Sequence, residues 1–438
     1  MTLATPITVI RGRFLDIQKT VAQANQIADQ VRYIEDGVLI TEQGKIRWFG
    51  TWEDAQAHLP INIEIQHYPE QLIIPGMIDT HIHFPQTEMV GAYGEQLLSW
   101  LNTYTFPTEI QFKDKAYASE IAKFFVNELL KNGTTTALVF CTVHPESVDA
   151  LFEAAEQHQM RLIAGKVMMD RHAPEALCDS ADSSYDDSKA LIEKWHGQGR
   201  ALYAITPRFA PTSTPEQLER AGQLKAEHPD VYVHTHLSEN KDEIAWVKDL
   251  FPAQRGYLDV YHHYGLTGQR SVFAHCVHLE DAEWQCMHET DSAIAFCPTS
   301  NLFLGSGLFP LKKTWQQQVK VGLGTDIGAG TSFSLLQTVN EAYKVQQLQG
   351  DKLSAYESLY HATLGGAKAL DLDDKLGNFN VGKEADFVVL NLKPTALQQL
   401  RQSRAKSLED SLFALFTMGD DRNVEATYIY GQKAYSQN

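Results

Sequence analysis

The stretch IIPGMIDTHIHF, residues 73–84, decides the fold, because a continuous apolar run ends there in two histidines. Side chains two positions apart on a strand point to the same side of the sheet, so His81 and His83 are predicted to project together. Near-continuous hydrophobicity is typical of a parallel strand whose outer face is covered. We therefore interpret this stretch as the first strand of a parallel barrel.

Seven further apolar runs follow along the chain, and most are separated by amphipathic stretches such as YASEIAKFFVNELLKNG, residues 117–133. In chain order these runs are TTALVFCT, RLIAGKVMMD, ALYAITPRF, VYVHTHLSE, SVFAHCVHL, SAIAFCPTSN and KVGLGTDI. Eight strand candidates that alternate with helix candidates are what a (β/α)8 barrel requires. The sequence therefore predicts an α/β protein in which residues 73–375 form a (β/α)8 TIM barrel.

The two ends of the chain carry a different pattern, in which apolar and polar residues alternate over short segments. GVLITEQGKIRWFG precedes the barrel, and EADFVVLNL and VEATYIYGQKAY follow it. A period of two with glycines as punctuation indicates short strands. We predict that residues 1–72 plus 376–438 form one small β-sandwich domain, and two unrelated β-hairpins are the alternative.

Composition and charge narrow the class of protein. The chain has 438 residues and a net charge of −18, which disfavours binding to nucleic acid polymers and to anionic membranes. Its five cysteines include no C-x-x-C pair, so neither a disulfide framework nor a cysteine zinc site is indicated, and a reducing compartment is expected. The start of the chain lacks the pattern of a signal peptide, and no run of 18 apolar residues occurs. The expected location is the cytoplasm.

Polar residues recur at the carboxyl ends of the candidate strands, which is the face where barrel enzymes place their active sites. In VYVHTHLSE, His236 lies nearer the tip than His234, which we interpret as a hydrogen-bonded core histidine. The sixth and eighth strands add His275 and Asp326. Together with the histidine pair of the first strand, this set suits a divalent metal such as zinc, and iron is the alternative.

Two further charged residues follow candidate strands. Glu239 comes three residues after His236 and is a candidate proton shuttle, with a solvated loop carboxylate as the alternative. Arg208 ends the fourth strand, and arginine only donates hydrogen bonds, in a planar fork. Guanine offers O6 and N7 as a pair of acceptors, whereas adenine carries an amino group at position 6. Arg208 therefore favours guanine over adenine as a ligand.

These motifs resemble the amidohydrolase superfamily. The resemblance is carried by IPGMIDTHIHF, HTHLSEN, AHCVHL and LGTD, and EADFVVL is similar to the closing sandwich of its deaminase branch. Within that branch the sequence is similar to the guanine deaminases in five separate segments and over almost its whole length. These segments are HIHFPQ (81–86), QLLSWLNTYTFPTE (96–109), ITPRFAPT (205–212), PTSNLFLGSGLF (298–309) and LGTDIGAGTSF (323–333).

The resemblance implies one zinc ion per subunit, a substrate site and a homodimer. The implied metal set is His81, His83, His236 and Asp326, with His275 either as a further ligand or beside the metal. The fourth strand tip TPRF offers no lysine of the kind that bridges two metals in binuclear members, which supports a single ion. The implied substrate-binding residues are His83, Gln86, Trp100, Arg208, Phe209, His236, Glu239 and Asp326. For Trp100, a core tryptophan is an equally good interpretation.

The activity implied by the resemblance is hydrolysis of guanine to xanthine and ammonia in purine catabolism, with Glu239, Asp326 and His275 as the catalytic residues. Related hydrolases that act on cytosine, adenosine derivatives or triazines are the nearest alternative. A cytidine-deaminase fold would need H-x-E with P-C-x-x-C, and the chain lacks that cysteine pair. A barrel without enzymatic activity has little support, because every ligand position is filled.

Overall fold

The computed structural model describes residues 7–93 and 97–437, except for the side chains of residues 97 and 98. Residues 1–6 and 438 of the predicted sandwich, and Gln96 at the start of QLLSWLNTYTFPTE, lie outside the described residues. The described chain forms two sheets, one of nine strands and one of seven.

The nine-stranded sheet is a barrel of parallel strands whose order in space follows their order in the chain. Its strands are β5 (Met77–His83), β6 (Thr134–Phe140), β7 (Arg161–Gly165), β8 (Val167–Met168), β9 (Leu202–Pro207), β10 (Tyr232–Leu237), β11 (Ser271–His275), β12 (Ala293–Phe296) and β13 (Lys320–Leu323). The short β8 pairs with β9 beside the main path. Between the first and last strands, Thr80 Oγ1 donates to the Leu323 carbonyl at 3.0 Å, and Asp326 N donates to the His81 carbonyl at 2.9 Å. The predicted barrel is confirmed.

Helices follow most barrel strands and bury one face against them. Residues 117–131 of the predicted amphipathic stretch lie in α4 (Lys115–Lys131), where Asp114 caps the first turn by accepting from Ala116 N at 2.8 Å. The helices of the first half are α1 (Trp52–Ala55), α2 (Leu97–Trp100), α3 (Phe106–Glu109), α4 (Lys115–Lys131), α5 (Pro145–Glu156), α6 (Ala181–Trp195), α7 (Pro215–Glu227) and α8 (Lys241–Leu250). Those of the second half are α9 (Tyr257–His263), α10 (Asp281–Glu289), α11 (Pro298–Phe303), α12 (Leu311–Gln317), α13 (Leu335–Leu348), α14 (Ala355–Ala362), α15 (Leu364–Ala369), α16 (Ala396–Gln402) and α17 (Leu408–Met418). Within the described residues, none of these helices has the length and apolar character needed to span a bilayer.

The seven-stranded sheet is built from both ends of the chain. Its strands are β1 (Ile7–Ile17), β2 (Val31–Glu42), β3 (Lys45–Thr51), β4 (Ile65–Pro75), β14 (Phe387–Leu390), β15 (Val424–Ile429) and β16 (Gln432–Ser436). β4 lies between β1, to which it is parallel, and β14, to which it is antiparallel. The prediction that the two ends meet in one β unit is confirmed, and the alternative of unrelated hairpins is wrong. The boundaries at residues 72/73 and 375/376 stay a prediction.

The deciding stretch, residues 73–84, is divided between the two sheets at Gly76. Residues 73–75 end β4 of the terminal sheet, and the barrel begins only at Met77. Gly76 N donates to the Asp386 carbonyl at 2.9 Å, and a Cβ at this position would lie 2.0 Å from Thr135 Oγ1. Only glycine therefore fits the junction. The apolar pattern did not reveal the break because the strands on both sides of it are buried.

Candidate metal centre and cavity

The carboxyl end of β5 places both of its histidines inside the mouth of the barrel. His81 is 0% exposed and His83 is 2% exposed. Just before them, the buried Asp79 accepts hydrogen bonds from His81 N and Thr325 N, both at 3.1 Å, and from the Thr325 hydroxyl. Asp79 therefore ties the end of β5 to the loop that follows β13, and burial raises its pKa to about 7.

Side chains from three strands and from the loop after β13 converge at this point. Two overlapping trios, His81–His83–His236 and His81–His275–Asp326, have ligand atoms that lie within 4.8 Å of one another. The Nε2 atoms of His83 and His236 are 3.2 Å apart, and Asp326 Oδ1 lies 3.1 Å from His81 Nε2 and 3.4 Å from His83 Nε2. All five residues predicted as metal ligands are thus neighbours in space.

The outer nitrogens of three histidines are anchored by hydrogen bonds. His81 Nδ1 lies 2.8 Å from His234 Nε2, and His236 Nδ1 lies 2.8 Å from the Arg208 carbonyl. His275 Nδ1 lies 2.9 Å from Asn301 Oδ1. These contacts orient each ring so that Nε2 faces the centre of the cluster, which is how second partners orient metal-binding histidines. The interpretation of His234 as a buried, hydrogen-bonded histidine is confirmed.

The donor set fits a zinc ion. His81 Nε2 is buried and makes no hydrogen bond, although Asp326 Oδ1 faces it at 3.1 Å. Burial, with repulsion from neighbouring positive groups, lowers the pKa of His81, His83 and His236 well below the usual 6.5. Neutral imidazole lone pairs and a carboxylate oxygen that face each other without a proton between them are the nitrogen and oxygen donors zinc accepts.

Glu239 lies next to this cluster and is held in place from two sides. Ser306 Oγ donates to its Oε1 at 3.0 Å, and its Oε2 is 3.4 Å from His275 Nε2. The side chain of Glu243 accepts from the backbone N of Glu239 at 3.0 Å, so it fixes the loop. Burial, together with the negative charge of Asp326, raises the pKa of Glu239 to about 8. With 2% exposure, Glu239 is not the solvated loop carboxylate of the alternative interpretation.

A cavity of about 440 Å³ opens beside Glu239 and the metal cluster. All eight residues predicted to bind substrate lie on its wall: His83, Gln86, Trp100, Arg208, Phe209, His236, Glu239 and Asp326. Leu101, Leu304 and Ala329 add an apolar part of the wall that the sequence reasoning missed. Trp100 packs in a small core cluster with Leu304 and Ala329, as the core interpretation expects, and it also lines the cavity, so its contact with substrate stays a prediction.

Comparisons with known proteins agree with this geometry. The model of the Amidohydrolase family matches residues 72–434. Guanine deaminase from Escherichia coli (strain K12) is 63% identical over 432 residues, which make up 99% of this chain and 98% of that protein. The solved structure of E. coli guanine deaminase has a TM-score of 0.96 at 61% identity and covers 99% of this chain and 100% of that one. Guanine deaminase from C. acetobutylicum, solved with bound guanine in the active site, has a TM-score of 0.88 at 30% identity, with 98% and 100% covered.

Proposed function

The chain belongs to the guanine deaminases of the amidohydrolase family, and from this premise we propose that it hydrolyses guanine to xanthine and ammonia with one zinc ion per subunit. The observation that carries the proposal is the cluster of buried histidines and Asp326 that opens directly onto a cavity lined by all eight residues predicted to bind substrate. A concave site that combines apolar side chains with a few convergent polar groups is typical of small-molecule binding.

We propose His81, His83, His236 and Asp326 as the residues that hold the metal. His275 lies at the edge of this set, with its Nε2 3.8 Å from Asp326 Oδ2 and 3.4 Å from Glu239 Oε2. When bound, zinc supplies Lewis acidity that lowers the pKa of a coordinated water to about 7. Elemental analysis of a His275→Ala variant distinguishes the two roles of His275. Loss of metal indicates a direct ligand, and retained metal indicates a residue that contacts the coordinated water.

In the proposed reaction, Asp326 accepts a proton from the attacking water and His275 orients that water by a hydrogen bond. The water oxygen forms a bond to C2 of guanine while Glu239 donates a proton to N3. Glu239, now a carboxylate, takes up the proton held by Asp326 and gives it to the amino group at C2. The bond between C2 and this nitrogen breaks as ammonia leaves, the C2 carbonyl forms, and the proton of the C2 hydroxyl returns to Glu239. One carboxyl group that acts as acid and base in turn is ordinary proton-shuttle chemistry. The contact of Glu239 with His275 supports this assignment.

We propose that residues of the cavity wall outside the metal site bind the substrate. Arg208 and Gln86 would hold the polar edge of the purine, and Trp100 and Phe209 would cover its ring faces. Phe209 is 4% exposed and directly follows Arg208, so one strand end supplies both kinds of contact.

The cellular setting is also part of the proposal. A net charge of −18 supports action on the free base rather than on nucleic acid. We propose a homodimer in the cytoplasm that serves purine catabolism, with the domain boundaries predicted above.

The decisive experiment is a spectroscopic assay of guanine conversion to xanthine, before and after metal removal by a chelator. We expect activity to disappear with the metal and to return when Zn²⁺ is added back. Elemental analysis of the purified protein distinguishes zinc from iron. Full activity in protein shown to be free of metal would contradict the proposal, and so would turnover of cytosine, an adenosine derivative or a triazine in place of guanine.

A further inference from the structure

Glu109 is a fully buried carboxylate behind the wall of the cavity, where it contacts the lining residues Arg208 and Gln86, and the reaction described above gives it no part. It ends the short helix α3, and both of its oxygens accept hydrogen bonds. Arg208 Nη1 lies 3.0 Å from its Oε1 and 2.7 Å from its Oε2. Gln86 Nε2 donates to Oε1 at 3.2 Å. Glu109 therefore contacts both of the polar residues assigned to hold the purine edge.

The contact with Glu109 fixes the orientation of the Gln86 amide. An ionised carboxylate only accepts hydrogen bonds, so Gln86 must turn its NH₂ group toward Glu109. Its Oε1 then points the other way, beside Gly328, where a Cβ would lie 2.7 Å from this oxygen. No described residue donates a hydrogen bond to Oε1. Gln86 consequently presents a hydrogen-bond acceptor whose orientation is set by its neighbour.

The same contact fixes what Arg208 presents. Glu109 occupies Nη1, and the guanidinium carbon lies 5.6 Å from the centre of the Phe106 ring, which also belongs to α3. Its Nε and Nη2 groups have no hydrogen-bond partner among the described residues, and Arg208 lines the cavity. Arg208 therefore presents hydrogen-bond donors on the same wall as the Gln86 acceptor.

We propose that Glu109 is a positioning residue that determines which purines the site accepts. By fixing donors on Arg208 and an acceptor on Gln86, it matches purines with an oxygen at position 6 and N–H groups at positions 1 and 2. A purine with an amino group at position 6 and no proton on N1 presents the opposite pattern at these two positions. This inference deepens the proposed function and rests on it, because it takes the same cavity as the guanine site.

The expected size of the discrimination follows from buried polar groups that would be left unpaired. A site built to hydrogen-bond one pattern rejects a substrate that lacks it by about 10⁴-fold, whereas apolar pockets reach only about 100-fold. If Glu109 only neutralised the charge of Arg208, its loss would weaken binding of both purines to the same extent. The ratio between the two substrates therefore separates a positioning role from a merely structural one.

The test compares the wild-type protein with Glu109→Gln, using guanine and 2,6-diaminopurine, which share the amino group at C2. The neutral amide at position 109 can donate as well as accept, so it no longer dictates the orientation of Gln86. We expect the ratio of kcat/KM for the two purines to fall at least 30-fold in Glu109→Gln, with metal content unchanged. A ratio within threefold of the wild-type value would overturn the proposal, whatever the loss of absolute activity.

The matched control is Glu384→Gln, which removes a partly buried glutamate that pairs with Arg161 and Arg200 at the opposite end of the barrel. The ratio of kcat/KM for guanine and 2,6-diaminopurine should be the same in this variant as in the wild type. If Glu109→Gln does not fold or loses its metal, Gln86→Met takes its place, because it keeps the Glu109–Arg208 pair and removes only the oriented acceptor. The ratio should fall in Gln86→Met as well, and an unchanged ratio there would equally overturn the proposal.

Failure of the proposed function would be visible separately. If the wild type does not convert guanine, that proposal is contradicted, and calorimetric Kd values for the two purines still test Glu109. A Kd ratio that drops in Glu109→Gln supports positioning, and an equal loss for both purines does not.

Discussion

The two ends of the barrel each contain buried arginines and carboxylates, and they use them differently. At the amino end, Arg161 and Arg200 pair with Glu384 and Asp386, so two positive side chains meet two negative ones. At the carboxyl end, Arg208 has Glu109 as its partner and keeps N–H groups that face a cavity. Paired buried charges hold parts of the protein together, whereas a buried donor without a protein partner marks where a ligand is expected.

The distribution of carboxylates shows the same contrast. Around the candidate metal centre, burial raises the pKa of Asp79 and Glu239, and no lysine or arginine among the described residues pairs with them to offset it. At the amino end, burial acts in the same direction on Glu384, but Arg200 and Arg161 outweigh it and lower its pKa. The pKa of similar buried carboxyl groups is thus raised or lowered according to their partners.

The largest expected difference between the two ends comes from removing one carboxylate at each. Glu239→Gln should lower kcat about 1,000-fold, because proton transfer by a positioned residue contributes a factor of about 10²–10⁴. Guanine binding, measured by calorimetry, should persist. Glu384→Gln should leave kcat within about twofold of the wild type. Full activity of Glu239→Gln would show that the two ends do not differ in this way, and it would contradict the assignment of Glu239 as the proton shuttle.

Removing an arginine at each end should give a smaller contrast. Arg208→Ala should raise the Kd for guanine about 100-fold, because hydrogen bonds donated by a charged group to the purine each contribute about 1.5–3 kcal/mol. Elemental analysis should find the metal still present, because the backbone carbonyl of Arg208 that contacts His236 remains. Arg161→Ala should leave this Kd unchanged. A metal-free Arg208→Ala protein would show that the side chain supports the cluster instead.

For the stability of the fold, in contrast to activity, we expect the carboxylate at the amino end of the barrel to matter. Glu384→Gln should lower the free energy of unfolding by about 2 kcal/mol, less than the 3–5 kcal/mol typical of a broken buried pair, because Asp386 still pairs with Arg200. Denaturant unfolding measures this difference. An unchanged midpoint would mean that the amino-end pairs add no net stability.

The smallest effect is in acid. Because Arg200 and Arg161 hold the pKa of Glu384 below its ordinary 4.5, its stabilising contribution is present above about pH 4.5 and is lost as the pH falls through the lower folded-state value. The stability difference between wild type and Glu384→Gln should therefore shrink as the pH falls below 4.5. Unfolding curves at several acidic pH values check this, and a gap that widens in acid would contradict the assignment.

Sequence alone predicts the barrel and the histidine–aspartate cluster of the candidate metal centre, because local sequence patterns indicate both. Parallel barrel strands are apolar on both faces, and a ligand pair such as His81 and His83 follows from the period of a strand. The break at Gly76 was missed because hydrophobicity does not distinguish two consecutive buried strands. A Cβ clash with Thr135 is visible only in three dimensions.

The role of Glu109 could not be predicted in this way. It lies 99 residues from Arg208 in the chain, and the pair exists only once the barrel has closed. Glu243 did have a local signal that was overlooked. Asn240 and Glu243 have the spacing of a capping box at the start of α8, which fixes the loop that carries Glu239.

Because β4 lies between β1 and β14, the sheet that the start of the chain begins is completed only by strands from its end. β4 has β1 on one side, but its other edge is covered only by β14, which begins at Phe387. During synthesis, that edge stays unpaired until all the barrel strands have been made. Unpaired strand edges pair readily with other chains. Loss of the segment from β14 onward should therefore cause aggregation even though every residue of the proposed metal site is still present.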